Sequence, residues 1–360
     1  MAGLYVHIPF CKKRCLYCDF FSTTLLDRRK EYVEAVLTEI AARKHEAGPI
    51  RTIYLGGGTP SMLEAIDIAR ILQAIGTADA EEITMEMNPG DVTESYLRDI
   101  RNAGINRLSI GIQSFQDPLL RLIGRRHDAR QALTAVKMAQ DAGFDNISVD
   151  LMYALPTQTM DMWRADIETA LQMGIQHISS YGLMYEEGTA LTQQLEAGTI
   201  EPIDEDTENA MYDLLCERLK QAGFVHYEVS NFALPGFEAK HNSSYWDHTP
   251  YVGIGAGAHS LIERTRSWNP SDLDAYIKGI SNGTLQRESE VLTDHEWYNE
   301  QVMLGLRTCR GYIGSISDSC RTNIGRLSRA GLLSETQDGR IVATQKGIHV
   351  LNRIIEELMI

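Results

Sequence analysis

Three cysteines of this 360-residue chain, Cys11, Cys15 and Cys18, fall within one short segment near its start. Thiolates at C-x-x-x-C-x-x-C spacing are, by type, ligands for iron or zinc. As iron-sulfur ligands they satisfy three irons of a cubane and leave the fourth iron open to a small molecule. As a structural zinc site they need a fourth ligand; Asp19 is a rare companion to three thiolates, and no second Cys-x-x-Cys pair exists. The spacing alone favours the cluster without excluding zinc. Cys216, Cys309 and Cys320 stand apart and read as small core hydrophobes.

Other chemistry-bearing residues follow in separate short motifs. Gly56-Gly57-Gly58-Thr59-Pro60 either lets backbone approach a ligand or makes a tight turn. Glu86 in EMNPG, Gln113 in IGIQSF, Arg125 in LIGRR and Asp150 in ISVDLMYALP are polar groups able to contact a ligand, or equally to cap a helix or pair internally. His241-Asn242-Ser243-Ser244-Tyr245-Trp246 joins an imidazole to aromatic surface, a combination that suits heme but also suits a packed structural histidine. His259 in GIGAGAHS is a weaker candidate of the same kind.

Positioning these groups falls to a strand-helix rhythm. Short apolar runs predict strands near Leu4–Ile8, Thr52–Leu55, Ile83–Met87, Arg107–Gly111, Asn146–Leu151 and His177–Tyr181. Helical spacing fills the gaps, as in Arg28–His45 and in Thr93–Asn102, which opens on Thr93 and stops before Gly104. The expected fold is α/β, a partial (βα)6 barrel with function at the carboxyl ends of its strands. Three regions are expected: the part-barrel with its cysteine loop over 1–200, a barrel-closing region with the histidine motif over 201–290, and an α-rich, winged-helix-like region over 291–360.

Composition narrows the partners. With 34 basic against 49 acidic side chains, the net charge of -15 opposes binding to phosphate backbones, so nucleic acid is not an expected partner. No window offers the roughly 18 consecutive apolar residues of a membrane span, and the start has no signal-peptide pattern. A cytoplasmic protein is expected.

The flanks of the cysteines carry a resemblance. YVHIPFCKKRCLYCDF, with Tyr17 just before the last cysteine, resembles the cluster motif of the radical S-adenosylmethionine (SAM) superfamily, and GGGTP resembles its SAM-lining element. Together with SIGIQSF and DLMYALPTQT, these motifs resemble the oxygen-independent coproporphyrinogen oxidase family over nearly the whole chain. The resemblance implies a 4Fe-4S cluster on Cys11, Cys15 and Cys18, completed by the amino and carboxylate end of SAM. It also implies SAM contacts from Tyr5, His7, Tyr17, Gly57, Gly58, Thr59, Glu86, Gln113, Arg125 and Asp150.

Two departures weigh against oxidase activity. Phe20 stands where the oxidase motif has a fourth cysteine, and the first strand begins almost at Met1, without the oxidase's extension. HNSSYW instead resembles the HNxxYW motif of the family's HemW-type heme chaperones, implying heme binding by His241, Asn242, Tyr245 and Trp246. That branch implies heme and acceptor hemoproteins, respiratory ones included, as partners. The alternative is a radical SAM enzyme acting on a porphyrin-type substrate, which requires an electron donor.

Overall fold

Each of the first six strands has large aliphatic side chains on one face and mostly polar residues or glycine on the other, which decides the face that meets the helices. The computed structural model describes residues 2–314, 316 and 318–360. Strands β1 (Ala2–Ile8), β2 (Ile50–Gly57), β3 (Glu82–Met87), β4 (Arg107–Gln113), β5 (Ile147–Tyr153) and β6 (His177–Gly182) lie parallel in that order, at the positions expected from sequence. Leu4, Val6, Ile8, Ile53, Leu55, Leu108, Ile110, Val149 and Leu151 are fully buried, each worth about 1.5–3 kcal/mol by burial. The opposite face carries Tyr5, His7, Tyr54, Glu86, Ser109 and Asp150.

Helices α1 (Arg29–Arg43), α2 (Ala65–Ile75), α3 (Glu94–Ala103), α4 (Asp117–Leu122), α5 (Ala129–Asp141) and α6 (Met160–Gln172) connect these strands. The expected limits of α3 hold for stated reasons: Thr93 accepts a hydrogen bond from Tyr96 N, and Gly104 adopts the left-handed conformation at φ 118°. After α7 (Ala190–Glu196), the acidic stretch forms the first turn of α8 (Glu205–Gln221), where Asp204 accepts from Thr207 N and carboxylates complement the helix dipole.

Residues beyond 200 build both edges of the same sheet. β7 (Val225–Glu228) and β8 (Asn231–Ala233) add antiparallel beyond β6. The chain then returns through α9 (Lys240–Tyr245) to β9 (Tyr251–Ile254), parallel to β1, and continues antiparallel through β10 (His259–Ile262), β11 (Thr265–Trp268) and β12 (Glu288–Val291). The result is one twelve-stranded sheet whose edges are β12 and β7, an open part-barrel. Helix α10 (Leu273–Ser281) covers the β9 side, and α11 (Asp294–Leu306) and α12 (Asp318–Arg329) follow. A hairpin of β13 (Leu333–Glu335) and β14 (Ile341–Ala343) comes next, then α13 (Gln345–Ile348) and α14 (Leu351–Leu358). This last part has its own apolar cluster around Val302, Leu327, Leu333, Ile341 and Ile354.

One buried carboxylate fastens the returning edge to the first helix. Glu39 of α1 is 1% exposed and pairs with Arg43 at 2.8 Å. It also accepts from Gly255 N, Asn269 Nδ2 and Tyr276 Oη, each at 2.8 Å. Four donors leave little of its charge uncompensated. Glu39→Ala is expected to lower stability by about 1–3 kcal/mol, because Gly255 N, Asn269 and Tyr276 lose their buried acceptor while Arg43 keeps Glu46 at 2.9 Å. Urea denaturation checks this; a loss below about 1 kcal/mol would remove Glu39 from this role.

Candidate functional site

The cysteine loop leaves β1 and is tied back to it at both ends. Cys11 N donates to Thr23 O at 2.9 Å, and Thr23 N to Pro9 O at 2.7 Å. His7 Nε2–H donates to Phe21 O at 2.9 Å, which leaves Nδ1 to accept from Tyr5 Oη at 3.0 Å. The middle of the loop is held by Leu16, whose N–H donates to Ile123 O at 3.1 Å and whose carbonyl accepts from Leu191 N at 2.8 Å. Tyr5 and His7 therefore stand behind the loop as supports and do not line the cavity that it covers.

That cavity, of about 490 Å³, lies at the carboxyl ends of the strands and is lined by Cys11, Cys15 and Cys18. Tyr17, Gly57, Gly58, Thr59, Glu86, Gln113, Arg125 and Asp150 also line it, so the structure brings together eleven of the sequence candidates, the three thiols included, from distant segments. Burial pushes the Cys11 thiol up and the Cys18 thiol up to about 11. Arg125 supplies a compensating charge: its Nη1 donates to Cys15 Sγ at 3.3 Å, and its Nη2 to Gly111 O. Thr59 Oγ1 lies 3.5 Å from Cys11 Sγ. Among the described residues, no three His, Cys, Asp or Glu side chains are grouped to hold one metal ion. Three thiols on one cavity wall are the donor set that a loop offers to an iron-sulfur cluster.

The glycines are required here. A Cβ on Gly57, which has φ 111°, would lie 2.5 Å from the His7 ring, and one on Gly58 would lie 2.7 Å from Pro9 backbone. The strand register sets the acids: Glu86 lies beside Ser109, and Asp150 beside Gly111. Glu86 accepts from Tyr54 Oη at 2.8 Å and from Gly57 N at 3.1 Å, and burial pushes it up to about 7. Ser109 Oγ donates to Asp150 at 3.1 Å, and burial raises that acid too. Gln113 has φ 73° at a bulge in β4, a left-handed backbone rare for a residue with a side chain and common at ligand sites. Sequence reasoning missed Tyr54 and Ser109; their signal was the period of two that puts them on the same strand face as Gly56 and Gly111.

The histidine motif lies at the other end of the strands. His241 is fully buried, with Thr52 Oγ1 at 2.9 Å from Nδ1 and Tyr245 Oη at 2.8 Å from Nε2. Its ring stacks on Tyr54 at 5.2 Å, and burial pulls its pKa down to about 3. Asn242 is half-buried, and neither it, His241 nor Tyr245 lines a described cavity. Trp246 lines a second, wider cavity of about 980 Å³ between this end of the barrel and the C-terminal part. Cys309 lines it as well and is exposed, unlike the core role expected, because it follows the end of α11 in a turn. His259 stacks on Trp268 at 5.6 Å, outside both cavities.

Residues 5–170 match the family model of the Radical SAM superfamily. The heme chaperone HemW of Lactococcus lactis is 36% identical, over 99% of this chain and 97% of its own length. HemW of Bacillus subtilis is also 36% identical, over 86% and 84%. Among solved structures, the coproporphyrinogen III oxidase HemN of Escherichia coli superposes with a TM-score of 0.84 over 99% of this chain and 90% of its own, at 23% identity, a likeness of fold. Similarity of this degree along nearly the whole chain makes it a member of the HemW family within the radical SAM superfamily.

Proposed function

We propose that this chain is a heme chaperone that binds a 4Fe-4S cluster and SAM in the upper cavity, takes up heme at the opposite end, and passes it to acceptor hemoproteins, respiratory ones included. The observation that carries this reading is the full-length similarity to proteins named heme chaperones, joined to a cavity in which three thiols meet buried acids. Among the described residues no helix is long and apolar enough to cross a membrane. A cytoplasmic location belongs to the same reading.

In this reading Cys11, Cys15 and Cys18 hold the cluster, and Arg125 offsets thiolate charge at Cys15. When bound, the cluster supplies a one-electron donor beside SAM. Glu86 and Asp150 offer carboxylates to the cationic and hydroxyl groups of SAM, while Tyr54 and Gly57 N fix the Glu86 head. Gly57, Gly58 and Thr59 form the backbone wall, with Tyr17 and Gln113 as neighbours. The second reading, an enzyme acting on a porphyrin-type substrate, is favoured by one feature: Phe20 and Met184, 65% and 68% exposed, give the upper cavity an apolar rim.

Two experiments test these roles. Because burial raises Glu86 to about 7, its carboxylate is charged above that pH and protonated below it. SAM affinity is expected to fall roughly tenfold for each pH unit below 7, since the cation must then displace a proton. Glu86→Gln should bind weakly with no such slope in calorimetric titration; a wild-type affinity flat from pH 6 to 8 would exclude Glu86 as the counter-charge.

Anaerobic reconstitution with iron and sulfide, then heme or coproporphyrinogen with SAM and reductant, separates carrier from enzyme. Stoichiometric heme uptake without decarboxylated product is expected, and product would establish the second reading. Alanine at Cys11, Cys15 and Cys18 together should abolish iron and sulfide content, whereas His241→Ala should weaken heme binding and leave the cluster intact.

A further inference from the structure

Three consecutive cations, Lys12, Lys13 and Arg14, fill the gap between Cys11 and Cys15, and two more, Arg125 and Arg126, line the upper cavity. Arg125 is accounted for by its bond to Cys15. Arg126 and Lys12 share a different partner. Asp91 lies in the helical turn Pro89–Asp91 that follows β3, and its side chain is only 2% exposed. Its Oδ1 accepts from Lys12 Nζ at 2.8 Å, and its Oδ2 from Arg126 Nη2 at 2.8 Å, with Arg126 Nη1 a further 3.4 Å from Oδ1.

Each corner of this triad is fixed independently. Asn88 Oδ1 accepts from Gly90 N at 3.0 Å and shapes the turn that carries Asp91. Lys12 adjoins Cys11, whose N–H closes the loop on Thr23 O. Arg126 sits between Arg125, whose N–H donates to Leu120 O at 2.8 Å, and the buried His127, whose Nε2–H donates to Ile112 O at 3.1 Å. Two exposed side chains pairing across a surface would matter little. Here a guanidinium fork fixes direction as well as distance, and a buried carboxylate joins segments that lie far apart in the chain.

We propose, resting on the 4Fe-4S reading of the upper cavity, that Asp91 is a positioning residue of the cluster site. Through Lys12 it grips the Cys11 end of the loop, and through Arg126 it grips the segment that brings Arg125 onto Cys15. Cys11 and Cys15 are thereby held in one frame by a residue outside the cavity lining. Asp91 also meters charge. It offsets one of its two cations, so that Lys12 and Arg126 bring a single net positive charge to the Cys11 side. Net charge near a cluster is one of the quantities that sets its reduction potential.

The test uses the full-length chain reconstituted anaerobically with iron and sulfide. Asp91→Asn keeps the shape of the side chain and removes its charge. It should release iron to a chelator at least tenfold faster than wild type. It should also raise the reduction potential of the cluster and shift the electron paramagnetic resonance g-values of its reduced form. Lys12→Met should speed release too, but lower the potential, because a cation is lost. The double variant should release iron no faster than Asp91→Asn alone, since the clamp is already open. A role confined to folding lowers the thermal transition of the apo-protein and leaves potential and g-values where they were. That outcome, release at the wild-type rate in Asp91→Asn, or additive effects in the double variant overturns the proposal. If Asp91→Asn does not fold, Lys12→Met, at a side chain 49% exposed, decides by the same release rate and potential. Failure of the wild-type chain to assemble a cluster overturns instead the reading on which the clamp rests.

Discussion

Closure of the cysteine loop on β1 is the constraint from which the upper cavity takes its shape. Hydrogen bonds from Cys11 N to Thr23 O and from Thr23 N to Pro9 O shut the neck of the loop, and His7 grips Phe21 O from behind. Leu16 then pins its middle to the ends of α4 and α7. Ordering a loop costs about 1–2 kcal/mol per residue in backbone entropy, and here folding meets that cost before any ligand arrives. The thiols are thus presented on a fixed wall, and their desolvation, visible in the raised Cys11 and Cys18 thiols, is imposed by the protein.

The same economy explains the polar face of the sheet. Glycine at 57 and 58 lets β2 and the loop approach the His7 ring and Pro9 closely. Tyr54 touches both worlds: its hydroxyl donates to Glu86 in the upper cavity, and its ring stacks on His241 below. Buried aromatic hydroxyls and imidazoles occupy space that aliphatic layers fill in an ordinary closed barrel. They tie strand to strand through specific partners.

What could be read from sequence followed the strength of the local pattern. The six parallel strands and α3 were legible because alternation and caps are encoded within a few residues of one another. The cysteine site was legible because ligand type and spacing lie in one loop. The edge strands β7 to β12 were harder, since each is only three or four residues long, too short for a period of two to show. The surroundings of His241 were not legible, because Thr52 and Tyr54 reach it only through the barrel's register. The partners of Asp91 were hidden as well, because Lys12 and Arg126 lie 79 and 35 residues from it.

Strand β2 has one end at each cavity. Arg51 and Thr52 border the lower one, and Gly57 borders the upper. At about 3.3 Å per residue the two ends lie about 15–20 Å apart, so no occupant of one cavity touches an occupant of the other. Strand β2 and the Glu86, Tyr54 and His241 contacts beside it join the two ends. Thermodynamic reciprocity then applies: if filling the upper cavity tightens the grip below, filling the lower one tightens the grip above by the same factor. Cargo and cofactor would each report on the presence of the other.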